Sequence, residues 1–187
     1  SAFFPIVACL ERVLRFDPAD PVAVRQQKID AFVAQAGLAV DDVVPHLDPI
    51  LFEAGDRRHV LADASPGERR NLISEALLLL LEAQSRRHPM VFIVEDGHWI
   101  DPSSDEFLAV LVDRAQTLRL MVLVSARPGY DPSWTDEPHV TTLALNRLSR
   151  ADSLALVTKV AGGKAMPDEV IDRIVANADG IPLFVEE

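Results

Sequence analysis

The sequence has one cysteine and few aromatic residues, 6% of 187. A lone thiol, Cys9, forms no internal disulfide and is compatible with a reducing, cytoplasmic compartment. With no cysteine pair, and with His46, His59, His88, His98 and His139 at no metal-ligand spacing, no zinc site is expected. Sparse aromatics leave the core to Leu, Val, Ile and Ala. No apolar run approaches the roughly 20 residues of a membrane helix. The longest, residues 76–81, is closed by Glu75 and Glu82 and reads as buried helix. No basic stretch leads into an apolar segment at the start, so no signal peptide is visible. No serine has the surroundings of a hydrolase nucleophile. The opening Ser1-Ala2-Phe3-Phe4, without Met, is expected to lie inside a longer protein.

Positive charge is also short, with 18 Lys and Arg against 29 Asp and Glu and a net charge of −11. An acidic surface repels phosphate backbones, so direct nucleic-acid binding is disfavoured. Any anionic ligand must be held by local donors. What remains is an ordinary globular balance, 49% hydrophobic and 25% charged, and a length that fits one domain or one and part of another.

Residues 1–88 read as helices. Residues 5–16 carry Ile6, Val7, Leu10, Val13 and Leu14 at helical spacing, with Cys9 on the apolar face as a packed thiol. Asp20-Pro21 reads as a cap and first helical residue, with Gly37 closing that helix. Residues 43–52 are apolar but interrupted by Pro45 and Pro49, which predicts short turns, and 53–64 predict an exposed loop. Ser65-Pro66-Gly67-Glu68 is a capping box opening a helix to about Arg87.

From Met90 the pattern changes. Residues 90–94 and 120–124 are continuous apolar runs, expected of strands buried on both faces, and 140–145 is a third strand candidate. Asp101-Pro102 opens a helix to about Leu118. One helix follows from Ser149 to Gly162-Gly163, and another from Pro167 to Gly180. Strand, helix, strand predicts a right-handed parallel crossover, hence an α/β sheet. The tail from Ser149 predicts a separate small helical lid.

Glu95 and Asp96 fall at the carboxyl end of the first strand, the edge where parallel sheets bind ligands. In nucleotide hydrolases one such acid holds Mg2+ and the other orients the attacking water. Adjacent strand residues point to opposite faces, so a shared site needs a turn, which Gly97 allows. Acids also end buried strands simply because the chain re-enters solvent. Arg127 follows the second strand and would emerge at the same edge, to read a γ-phosphate or to pair with one of the acids. Gly180-Ile181-Pro182 is a helix stop and restart. His98 either anchors the turn or touches a ligand; Trp99 is expected to pack under its own turn, although Trp99 and Trp134 could instead cap a nucleotide.

Glu95-Asp96-Gly97-His98-Trp99-Ile100-Asp101-Pro102-Ser103-Ser104 resembles the Walker B region of signal-transducing (STAND) ATPases, a branch of the AAA+-like ATPases. Ser125-Ala126-Arg127-Pro128 resembles their sensor strand. Leu143-Ala144-Leu145-Asn146-Arg147-Leu148-Ser149 resembles the entry to the lid, and Asp179-Gly180-Ile181-Pro182 the Gly-x-Pro lid motif. The four stand in the correct order over residues 90–187, about half the chain; upstream, only Ser1-Ala2-Phe3-Phe4-Pro5-Ile6 looks similar. Modules of this kind lie beside class III adenylate/guanylate cyclases and in large LuxR-type regulators.

The resemblance implies a partial P-loop NTPase-type parallel sheet with flanking helices over residues 1–148, followed by the start of a lid over 149–187. It implies ATP and Mg2+ as cofactors of the intact parent, Glu95 and Asp96 as catalytic and metal residues, and Arg127, Gly180 and Pro182 as nucleotide contacts, Pro182 near the adenine. The implied partner is a covalently attached output domain, a cyclase or a DNA-binding domain, with self-association open. One departure is plain: no Gly-x-x-x-x-Gly-Lys-Ser/Thr occurs, and Gly162-Gly163-Lys164 lacks both the first glycine and the hydroxyl. Without that amide nest and lysine the piece alone is expected to hold no nucleotide tightly. By the family's order the missing loop and first two strands belong upstream of Ser1, and the first strand would be central. Two alternatives stay open: a degenerate scaffold, and a metal-dependent hydrolase built on Glu95, Asp96 and Asp101.

Overall fold

The computed structural model describes residues 2–52, 64–162, 164 and 166–186, the last without its side chain. The loop expected over 53–64 thus lies outside the described residues except for Ala64, as does Gly163. The chain divides into two compact units, Ser1–Val140 and Thr141–Glu187.

The first unit begins with helices α1 (Phe4–Val13), α2 (Val22–Gln35), α3 (Val40–Leu51) and α4 (Pro66–Arg87). Helix α4 starts as its sequence dictates. Ser65 accepts the Glu68 amide and Glu68 accepts the Ser65 amide, so two otherwise orphaned donors are satisfied reciprocally. Hydrogen bonding to the carboxyl from the Ser65 side chain, and then from its backbone amide, holds Glu68 below its ordinary value. Helix α2 starts one residue later than expected, at Val22. Asp20 is not its cap, because its carboxylate takes the Asp17 amide and the Lys28 ammonium instead.

Helix α3 overturns the expectation of short turns, running unbroken through Pro45 and Pro49. Each proline removes one backbone hydrogen bond. Being four residues apart, they lie along one side of the helix. Val43, Val44, Leu47 and Leu51 are buried from the same helix, and that burial outweighs the lost bonds. Helix α1 supplies Ile6, Leu10 and Leu14 to the same core, with Ile29 and Val33 from α2 and Ile73, Leu77 and Leu80 from α4. Cys9 is exposed, contrary to the packed position expected. It lies between Ile6 and Leu10 in sequence, but the buried stripe passes through those two and leaves it outside.

Strands β1 (Met90–Val94) and β2 (Leu120–Val124) form a two-stranded parallel sheet, joined through helix α5 (Pro102–Ala115). The register pairs Met90 with Leu120 and Val94 with Val124. This makes the chain a helix-rich α/β protein. The strands are not buried on both faces. Phe92, Leu120 and Val122 pack on the helical core. Val91, Ile93, Met121 and Leu123, on the other face, are 47–60% exposed. The helices of this unit cover only one side, and alternation along each strand does the rest. Residues 140–145 are not a strand. A strand needs a ladder partner, and among the described residues β1 and β2 pair only with each other.

The second unit contains α6 (Arg150–Val160), α7 (Asp168–Ala178) and α8 (Pro182–Glu186). Ser149 caps α6 by accepting the Asp152 amide. Val157, Ala178 and Val185 form its small core, with Leu156, Ile171 and Ile174 against them. Residues 141–148 belong to this unit, where the Leu148 amide donates to the Gly180 carbonyl at 2.8 Å. Among the described residues no helix is long and apolar enough to cross a membrane.

Candidate functional site at the carboxyl edge of the sheet

Because Val94 and Val124 are register partners, the residues following them leave the sheet at one edge. Glu95 and Asp96 follow β1, and Ser125, Ala126 and Arg127 follow β2. All five are exposed. The chain turns where the sequence requires it. Asp96 takes the left-handed conformation (φ 52°, ψ 45°) and Gly97–Trp99 makes a single 3-10 turn. Aspartate tolerates that region better than most residues. Gly97 is buried against β2, and its amide donates to the Ser125 carbonyl at 2.8 Å.

The two loops are stitched together by further bonds. The Ser125 amide donates to the Val94 carbonyl at 2.9 Å, and the Asp96 amide to Ser125 Oγ at 3.3 Å. The Arg127 amide donates to His98 Nδ1 at 3.4 Å. Tyr130 Oη donates to Asp105 Oδ1 of α5 at 2.8 Å, and its ring meets Trp134 edge-on. Burial first, then the bond to Asp105 and the nearness of its charge, push the Tyr130 phenol well above its ordinary value. No motif announces Tyr130, and the Ser125-Ala126-Arg127-Pro128 segment does not announce the bonds that Ser125 makes to the other loop. They depend on where β2 ends relative to α5, which local pattern does not specify.

Among the described residues Arg127 forms no ion pair with Glu95 or Asp96. The simplest structural use for that guanidinium is therefore not the one adopted. The His98 imidazole lies beside Asp96, its Nδ1 4.0 Å from Oδ1. Trp99 is 77% exposed, contrary to the expectation that it packs under its turn. Its ring tilts against His98 with centroids 5.3 Å apart and otherwise faces solvent, because Gly97 fills the buried position of the turn.

Asp101 is committed elsewhere. It caps α5 by accepting the Ser104 amide at 3.1 Å and the Ser104 hydroxyl at 2.7 Å, and it accepts the Phe3 amide at 3.1 Å. Burial works to raise its pKa, but the Ser104 bonds and the amides of Phe3 and Phe4 together prevail and hold it below the ordinary value. Its oxygens being occupied, Asp101 does not join Glu95 and Asp96 in a three-acid cluster. Among the described residues no group of three or more His, Cys, Asp or Glu is placed to hold a metal ion. Mg2+ asks for less, since one or two carboxylates, water and substrate phosphates satisfy it. Glu95 and Asp96 fit that donor set.

Gly180 and Pro182 belong to the second unit. Gly180 is buried with φ 73°, and Asp179 before it is also left-handed at φ 48°. A Cβ on Gly180 would lie 2.7 Å from the Leu148 carbonyl oxygen, so only glycine fits. Arg147 pairs with the Asp179 carboxylate. The lid-entry and Gly-x-Pro segments, 32 residues apart, thus meet in one contact. Pro182 is the exposed first residue of α8.

No family model matches the chain, and no solved structure matches it significantly. An uncharacterized protein of Rhizobium meliloti (strain 1021) is 31% identical over 161 residues, 85% of this chain. The aligned segment covers only 16% of that protein's length.

Proposed function

We propose that the chain is part of an ATP-binding signal-transduction ATPase module of the STAND type, built on a P-loop NTPase-type sheet. The module regulates an attached output domain, a nucleotide cyclase by first choice and a DNA-binding domain by second, through nucleotide-dependent conformational switching in the cytoplasm. The observation that carries the reading is the register of Val94 with Val124, which brings Glu95, Asp96 and an Arg127 that has no ion pair among the described residues to one sheet edge. In the intact parent Glu95 and Asp96 would together manage Mg2+ and water, position after the apolar run favouring Glu95 on the metal, while Arg127 would sense the γ-phosphate and Pro182 would lie near the base. ATP and Mg2+ belong to the intact parent, because the phosphate cradle must come from a segment other than this one. Self-association is compatible with the reading; direct contact with nucleic acid or membrane is not part of it.

Calorimetry with Mg-ATP on this chain, and on one extended upstream through a phosphate loop, tests the proposal. Only the extended form should bind. Arg127→Ala, or Glu95→Ala with Asp96→Ala, should weaken binding about ten- to hundredfold, as expected for lost charge-assisted contacts. The absence of the Gly-x-x-x-x-Gly-Lys-Ser/Thr loop favours a second reading, a degenerate ATPase domain serving as an interaction scaffold. Negligible binding by both forms would select it.

A further inference from the structure

Arg127 lies three residues beyond the end of β2, in an exposed stretch without regular secondary structure. Such a residue is ordinarily free to wander, and a guanidinium on a wandering backbone reads a ligand poorly. Its carbonyl accepts the Tyr130 amide at 3.3 Å within its own loop, and its amide is held by one side chain from the opposite loop. His98 is polar, yet its side chain is only 14% exposed. Its Nδ1 faces the Arg127 amide at 3.4 Å, with the Asp96 carboxylate at 4.0 Å on the same nitrogen.

An amide can only donate, so Nδ1 must be the acceptor in this contact and carries no proton there. A neutral ring then has its proton on Nε2, which is buried and has no hydrogen-bond partner among the described residues. Leaving a buried donor unsatisfied is unfavourable, and a histidine serving only as filler would not require it. An apolar side chain of similar size would fill the same space without that penalty.

We propose that His98 is the positioning residue for Arg127. Its Nδ1 ties the arginine's main chain to the turn that carries Glu95 and Asp96, so the acids and the guanidinium keep a fixed relation at the sheet edge. The bond geometry stands by itself; its importance for nucleotide sensing rests on the function proposed above. His98 acts through Arg127 and needs no contact with ligand.

Substitutions separate this from a packing role. Asparagine places its Oδ1 the same number of bonds from the backbone as Nδ1, so His98→Asn keeps an acceptor for the Arg127 amide. His98→Gln carries its acceptor one bond further out and His98→Leu has none. Hydrogen exchange at the Arg127 amide, followed by NMR in this chain, should accelerate about tenfold in the Gln and Leu variants and stay within about twofold in Asn. Exchange unchanged in Leu, or as fast in Asn as in Gln, would overturn the proposal. In the upstream-extended chain, Mg-ATP affinity should follow the same order, with Asn rescuing what Gln and Leu lose. Arg127 exchange that follows the order without any Mg-ATP binding by the extended wild type would support the tie and sink the nucleotide reading. Nucleotide binding that ignores all three substitutions would overturn the positioning role while leaving that reading standing.

Discussion

Gly97 and Val124 are so close that a Cβ built on the glycine would lie 2.9 Å from Val124 Cγ1. Tyr130 Cε1 would be 3.4 Å away on another side. The turn bearing the acids therefore lies directly against the last residue of β2. Gly97→Ala should destabilise the first unit by about 1–3 kcal/mol, the usual cost of an inserted carbon in packed surroundings. Urea denaturation measures it. In a Val124→Ala background the added penalty should shrink, because the clashing methyl is gone; an undiminished penalty would mean the strain lies elsewhere.

Tyr130 is the only tyrosine, so its ionisation can be followed by ultraviolet absorbance without interference from another. Its pKa is raised in the folded state. The stabilisation linked to its neutral form is therefore complete below the ordinary tyrosine value of about 10 and is lost as pH climbs through the raised value. The native protein should show no phenolate near pH 10, and its urea midpoint should fall above that pH. Tyr130→Phe should lack this alkaline decline. A native titration near pH 10 would contradict the part-buried bond to Asp105.

Asp101→Ala removes the cap of α5 and leaves the Phe3 amide without its acceptor. The expected loss is about 1–2 kcal/mol by chemical denaturation near neutral pH. Since the folded carboxyl sits below the ordinary value, its contribution is present above about pH 4 and disappears as pH falls through the lowered value. The gap between wild type and variant should accordingly close in acid. A gap independent of pH would show that the charge is not what matters.

Gly180→Ala combines a left-handed backbone with a Cβ 2.7 Å from the Leu148 oxygen. A loss of more than about 1 kcal/mol is expected, confined to the second unit. Hydrogen exchange should speed up in α6, α7 and α8 and remain unchanged in β1 and β2. Equal acceleration in both units would mean that they unfold as one.

Much of this architecture is written locally. The Ser65–Glu68 capping box, the Asp101-Pro102 start of α5 and both strands follow from residues within a few positions of one another. What local reading misses depends on partners. Two prolines in α3 look like breaks until the burial of Val43, Leu47 and Leu51 is counted. The apolar runs 90–94 and 120–124 reveal extended backbone but not which side finds cover, so Val91 and Ile93 cannot be told from Phe92. Residues 140–145 have strand composition but, among the described residues, pair with no strand. At the candidate site the acids and Arg127 are legible from their positions after apolar runs. An anchoring role for His98 is legible too, but that Arg127 is its partner is not, nor are the partners of Ser125 and Tyr130, because each bond spans 25 residues or more.

The Phe3 amide and the Asp101 carboxylate are separated by 98 residues. Their bond closes the first half of the chain into a ring whose entropic cost grows only with the logarithm of its length. The bond alone does not hold the ring shut; Phe3 is 1% exposed, and burying a phenylalanine contributes about 1.5–3 kcal/mol. The ring passes through α1, α2, α3, α4 and β1 before returning to the foot of α5. Helical layer and strand–helix–strand segment are thereby one cooperative piece, and melting either should be felt by the other at the same temperature.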